Sequence, residues 1–325
     1  MEILHFIAYL IFLLIIAILF FSNKKIQTLL NKKNLDTQID TYYFVNYNNL
    51  YNKNTNKIFI HVPEHINSSQ WINFGSRNSS NLNNNLAFFS ILSVIQHCSN
   101  YYDIILFKNS DIKEMIGLYE DDDSLANINN PELLSGIDLK QWEECMKAKI
   151  LKHYGGVVMK PCFCFKRCPL KSELFPKKLT ILNHNNNGLN VSNKQLIPSS
   201  NYIIASEKND SNLNIYINYL EHLCQNFYSN DHKLFDKTFE KLYALNSYDS
   251  KYFGITDYNN EIIYPEDLLS SEKEIILDNN NYALFINTDF YDKYTKYGWV
   301  SRLNNEQIKN SNFYLANYIS IHLNI

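Results

Sequence analysis

The chain holds a single glycine pair, Gly155-Gly156, and its setting constrains the fold more than any other feature. Upstream, residues 139–153 carry Trp142, Cys145, Met146, Ile150 and Leu151 at spacings that build one apolar face of a helix. Glycine after such a stretch caps and turns a helix, because it takes positive φ without a side-chain clash. Downstream, Val157-Val158-Met159 reads as a central strand that ends at Lys160-Pro161. The same alternation runs ahead of it. Residues 57–62, closed by Pro63, predict a buried strand, residues 86–97 a buried helix, and residues 102–107 the next strand. This order predicts an α/β fold with a parallel sheet centred on strands near 57–62, 103–107 and 157–164. In such sheets ligands bind outside the carboxyl ends of the strands. Farther on, residues 178–250 mix short strands and helices, with a helix over 212–227. Residues 282–286 predict another strand, and a helix from about residue 304 to about 322 closes the chain.

Ahead of this body, residues 3–21 contain no Asp, Glu, Lys or Arg. At about 1.5 Å per residue these 19 residues make about 28 Å of helix, close to the hydrocarbon thickness of a bilayer. A cleavable leader starts basic and ends on small residues, whereas this segment starts Met1-Glu2 and ends Phe20-Phe21-Ser22. The expectation is a single-pass transmembrane anchor over residues 1–22, a polar stalk over 23–55 and one domain over 56–325. Lys24, Lys25, Lys32 and Lys33 follow the anchor and no basic residue precedes it. That asymmetry predicts that the domain lies on the cytoplasmic side of the membrane. The six cysteines, too few for a disulfide-dense pattern in a domain this large, agree with a reducing compartment.

Charge excludes one class of partner. With 30 basic against 33 acidic side chains the net charge is −3, so the basic face of a nucleic-acid protein is not expected. The 47 Asn against 8 Gly read as codon bias in an AT-rich genome. The glycosylation sequons at Asn67, Asn78, Asn190 and Asn209 are no more than chance supplies at that Asn content. No repeat of about 20–50 residues recurs, and no G-x-S-x-G, H-E-x-x-H, Walker or G-x-G-x-x-G pattern is present.

Several residues are candidates for chemistry. His61 ends a strand at the expected ligand edge, and Arg77, in Phe74-Gly75-Ser76-Arg77, sits in a loop able to reach phosphate. A hydrogen-bonded structural His and a surface Arg are the plainer readings. Glu120-Asp121-Asp122-Asp123 reads as a solvated loop, since neighbouring carboxylates in a run do not converge on one ion. Cys162, Cys164 and Cys168 have zinc-like spacing, with His153 or His184 as a fourth ligand, but they also suit small buried core positions. Trp142 and Trp299 read as core or interface anchors.

The segment from Ala148 through Tyr154-Gly155-Gly156-Val157-Val158-Met159-Lys160-Pro161-Cys162 resembles a known signature. It is similar to the sugar-transferase region of family 32 glycosyltransferases and capsular-polysaccharide synthesis proteins, where an (S/D)-D-x-x-R helix runs into I-L-x-x-Y-G-G-I-Y-L-D-x-D. Ile58-Phe59-Ile60-His61 resembles the first strand of that family, which lines the nucleotide pocket. Lys296-Tyr297-Gly298-Trp299-Val300-Ser301-Arg302 resembles a stretch in glycosyltransferase-like proteins of large DNA viruses. The resemblance implies a GT-A-like nucleotide-diphospho-sugar transferase fold, a nucleotide sugar as donor and a glycan as acceptor. It implies substrate-binding roles for His61, Glu144, Lys147 and Lys160, to which Arg77 is added as a substrate-binding candidate from its loop position alone. In the family the two aspartates of D-x-D hold the divalent ion; here those positions are Lys160 and Cys162, the helix acid is Glu144 and the helix Arg is Lys147. An ammonium cannot ligate a cation, so no metal and no other cofactor is expected. Lys160 itself neutralising a diphosphate, a retained fold acting as a binding or structural module of a membrane or virion, and an accidental likeness remain open.

Overall fold

The computed structural model describes residues 50, 56–62, 85–117, 136–169, 174, 178–182, 202–225, 248–293 and 296–324, all within the unit Val45–Ile325. The anchor, the stalk apart from Leu50, Arg77, the acidic run at 120–123 and His184 lie outside the described residues. Among the described residues no helix is long and apolar enough to cross a membrane.

The elements follow the sequence closely. Strand β1 (Lys57–His61), helix α1 (Asn85–Cys98), strand β2 (Asp103–Phe107), helix α2 (Asn109–Met115), helix α3 (Gly136–Tyr154) and strand β3 (Gly156–Met159) form the first half. Strands β4 (Phe163–Phe165), β5 (Thr180–Leu182) and β6 (Ile203–Ser206) and helix α4 (Ser211–Gln225) follow. Then come strand β7 (Ala283–Phe285) and helices α5 (Thr288–Lys293), α6 (Asn305–Lys309) and α7 (Tyr314–Leu323).

The central sheet has the order β2-β1-β3-β6-β5. β1 pairs in parallel with β2 and β3, in register Ile58↔Ile104 and Ile58↔Val157. β6 then runs antiparallel to both β3 and β5, so four of the five strands point one way. The molecule is thus a mixed α/β fold around a mostly parallel sheet. Every residue of β1 is buried, as a strand covered on both faces requires. Phe59, Ile105, Val158, Ile181 and Ile204 on one face join Trp142, Cys145, Met146, Ile150 and Leu151 of α3 and Leu213, Tyr216 and Leu220 of α4 in one core. The alternate set, Ile58, Ile60, Ile104, Leu106, Val157 and Met159, is equally buried.

The glycine pair has a backbone reason. Gly155 takes φ +66 and donates its N–H to Leu151 O at 2.7 Å, closing the end of α3. Gly156 takes φ +112, and a Cβ there would lie 2.6 Å from Lys57 O of the neighbouring strand. Only glycine lets the chain enter β3 this close to β1.

Two expectations are corrected. The strand expected over 157–164 is two strands in different sheets. Pro161 has no N–H to donate, Cys162 N–H donates instead to Lys160 O at 2.9 Å, and the chain turns to pair β4 antiparallel with β7. The free side of β4 is closed by helix hydroxyls: Phe163 N–H donates to Ser90 Oγ at 2.9 Å, Ser90 Oγ–H donates back to Phe163 O at 2.7 Å, and Phe165 N–H donates to Ser93 Oγ at 2.9 Å. The closing helix expected over about 304–322 is likewise split. Asn304 and Gln307 form a capping box that starts α6, and α7 begins only after Asn310-Ser311-Asn312.

Candidate functional site

The carboxyl edge of β1, β2 and β3 gathers polar groups that each strand delivers by its end. β1 ends at His61; β2 ends at Phe107 and is followed by Asn109; β3 ends at Met159 and is followed by Lys160. Helix α3 brings Glu143, Glu144 and Lys147 to the same place. Of these, His61, Asn109, Glu144 and Lys147 are buried, and Lys160 is half-exposed.

Two hydrogen-bonded sets make up the site. Asn109 Nδ2 donates to Glu143 Oε1 at 3.0 Å, which leaves Asn109 Oδ1 facing His61 Nε2 at 2.7 Å. An amide oxygen only accepts, so Nε2 carries the proton of a neutral His61. The imidazole also stacks on Phe107, ring centres 5.0 Å apart. Beside it, Lys147 Nζ donates to Glu144 Oε1 at 2.5 Å across one turn of α3, with both side chains almost wholly out of solvent.

Electrostatics link the two sets. Burial pushes the His61 pKa down from 6.5 to about 3. The Lys147 ammonium adds to that fall, the Asn109 bond opposes it, Lys160 lowers it further and Glu144 opposes it. Histidine 61 is therefore a fixed neutral donor and not a proton acceptor near neutral pH. The Glu144–Lys147 pair is a buried ion pair, and Lys160 stands at the edge itself, as does Lys108 directly after β2. The Lys160 backbone is held there, its N–H donating to Tyr202 O at 2.9 Å.

No family model, curated protein or solved structure matches the chain.

Chemistry must be argued from the groups themselves. Of the five sequence candidates, Glu144, Lys147 and Lys160 fall within electrostatic reach of His61; Arg77 lies outside the described residues. Sequence reasoning missed Asn109 and Glu143. The signal for Asn109 was its place just past a strand end; for Glu143, adjacency to Glu144. The cysteine cluster does not assemble: among the described residues no three His, Cys, Asp or Glu side chains could hold a metal ion together. Cys164 is enclosed near Ser93, and burial pushes its thiol up to about 12. Cys168 instead meets Cys98. Trp142 is core, whereas Trp299 is half-exposed and sits edge-on to Phe313.

Proposed function

We propose that the chain is a divergent, membrane-anchored glycosyltransferase-like protein of the GT-A type. It binds the diphosphate of a nucleotide sugar at the carboxyl edge of the sheet through Lys160 in place of a metal ion. The observation that carries this reading is the position of Lys160: it leaves β3 at the ligand edge, where the family signature sets its first metal-binding acid. A held ammonium neutralises a diphosphate directly, as a point charge. The second acid position is the buried Cys162, so neither position offers an oxygen ligand to Mg2+ or Mn2+. Glu144 and Lys147, which stand for the signature's acid and Arg, are bonded to each other, and the neutral His61 lies within electrostatic reach of Lys160. A glycan is the acceptor this reading implies. Residues 3–21 would hold the domain at the cytoplasmic face of a host or virion membrane.

A second reading is a non-catalytic membrane or virion component that uses the domain as an interaction surface. It is favoured by one observation: His61, Asn109, Glu143, Glu144 and Lys147 satisfy one another inside the protein.

Calorimetric titration of the full-length chain with UDP and GDP sugars, with and without Mn2+, separates the two. The first reading expects binding that does not need Mn2+. A charged hydrogen bond is worth about 1.5–3 kcal/mol, so Lys160→Ala should weaken binding about tenfold or more. Unchanged affinity in Lys160→Ala would remove Lys160 from the site, and binding only with Mn2+ would place a metal there after all. No binding of any donor would favour the interaction module.

A further inference from the structure

At the opposite end of the sheet, beside Asn56 before β1 and Tyr102 before β2, a cleft of about 570 Å3 opens. Its lining includes His97, Lys166, Arg167, Cys168 and the exposed Tyr101, and among the described residues that line it none is acidic. Arg167 is held in place, donating from Nε to Asn281 O at 3.2 Å and from Nη2 to Asn279 O at 3.3 Å, with its guanidinium 4.8 Å from the centre of the Tyr282 ring.

Cys168 is half-buried in this cleft, while Cys98, the last residue of α1, is wholly buried behind it. Tyr102 ties the two cysteines together: its N–H donates to Cys98 O at 3.0 Å and its hydroxyl to Pro169 O at 3.4 Å, the carbonyl that the Cys168 thiol also meets at 3.4 Å. The neighbouring Cys98 thiol is the main reason the Cys168 pKa lies below the ordinary thiol value; burial opposes and the Tyr102 hydroxyl assists. The Cys168 thiol and burial together push the Cys98 pKa up. A second thiol pair, Cys145 with Cys224, serves as an internal contrast: both are buried in the core between α3 and α4. One pair is thus packing, and the other has a solvent-reached nucleophile with a second thiol at its back.

We propose that Cys168 is a modification site for a carboxylate-bearing low-molecular-weight disulfide, and that Cys98 resolves the adduct into an internal disulfide. The Cys168 thiolate attacks one sulfur of the small disulfide, forming a mixed disulfide and releasing one small thiolate, which takes up a proton. Cys98 then attacks Cys168 Sγ and passes its proton to the departing small thiolate, breaking the mixed disulfide and releasing the second small thiol. The two protein thiols are oxidised to one disulfide and the small disulfide is reduced to two thiols. Lys166, Arg167 and His97 supply the positive lining that would draw carboxylates to this cleft.

The test is incubation of the purified full-length chain with oxidised glutathione, followed by intact-mass measurement and non-reducing peptide mapping. The expected result is a loss of two hydrogens and a peptide linking residues 98 and 168. Cys98→Ser should accumulate a stable glutathione adduct at Cys168, and Cys168→Ser should give neither product. Because Cys168 is half-exposed, its Ser variant should fold even if the Cys98 variant does not, and the wild-type map needs no variant. A wild-type chain that keeps the adduct without the internal link, or a Cys168→Ser chain oxidised as fast as wild type, would overturn the proposal.

Discussion

Glu144 and Lys147 are the residues for which a single substitution should cost most. Each charge is buried, and the two form an ion pair. Glu144→Ala would strand an ammonium out of water, and breaking a buried pair from one side costs about 3–5 kcal/mol. Replacing both, as Glu144→Leu with Lys147→Met, removes the stranded charge and should recover most of that loss. Urea midpoints of the two single variants and the double variant check this; a double variant no more stable than the worse single one would refute it. His61 and Lys160 were legible as strand ends, whereas Glu144 and Lys147 were reached only through the resemblance of their helix to the transferase signature. Asn109 was not legible, since one Asn among 47 carries no signal of its own. It gains a role only once the register His61↔Phe107 sets it beside the end of β1. Asn281 makes the same point. It lies in a triple-Asn run that reads as loop filler, yet its buried amide donates to Lys251 O at 3.0 Å and Ala283 O at 2.8 Å, tying the Ser250–Phe253 turn to β7.

At the scale of elements, apolar runs located β1, α1, β2, α3 and β3 to within a few residues, with Pro63 closing the first and the glycine pair parting the last two. Run content does not reveal strand direction, which is why the antiparallel pairing of β6 appears only in the structure: Ile203-Ile204-Ala205 reads the same for either sense. The glycine pair joins the two best-read elements, and its second member is the more demanding. In Gly156→Ala the new Cβ would meet Lys57 O at 2.6 Å while φ stays at +112, so β3 must shift off β1 or the turn must reform. Steric strain at such a position costs about 1–3 kcal/mol. The variant should therefore unfold at lower urea with its helix content kept. A midpoint equal to wild type would mean that the approach of β3 to β1 is looser than the register implies.

Over the whole molecule, histidines set the acid limit. His97 of α1 and His322 of α7 join the first described helix to the last, the His97 ring lying 3.3 Å from His322 O through Nε2. Burial lowers the pKa of both; Lys166 and then His97 add to the lowering at His322, while the His322 carbonyl opposes it at His97. His61, wholly enclosed, is lowered to about 3. Each of the three binds its proton more weakly in the folded chain than in the unfolded one. Between the unfolded value of 6.5 and the folded values the unfolded chain holds more protons, so stability rises with pH across that window. The contribution is whole above the unfolded value and falls away on acidification toward about 3. For His61 the slope is up to about 1.4 kcal/mol per pH unit, since it alone of the three is fully enclosed. Wild type should lose stability steeply between about pH 6.5 and about pH 4, and His61→Gln, which keeps a donor for Asn109 but cannot titrate, should lose less over the same interval. Parallel pH profiles for the two chains would show that His61 is reached by protons while the fold is intact. The carboxyl edge would then open to water in the native state, and the neutral donor bonded to Asn109 would become a titrating one.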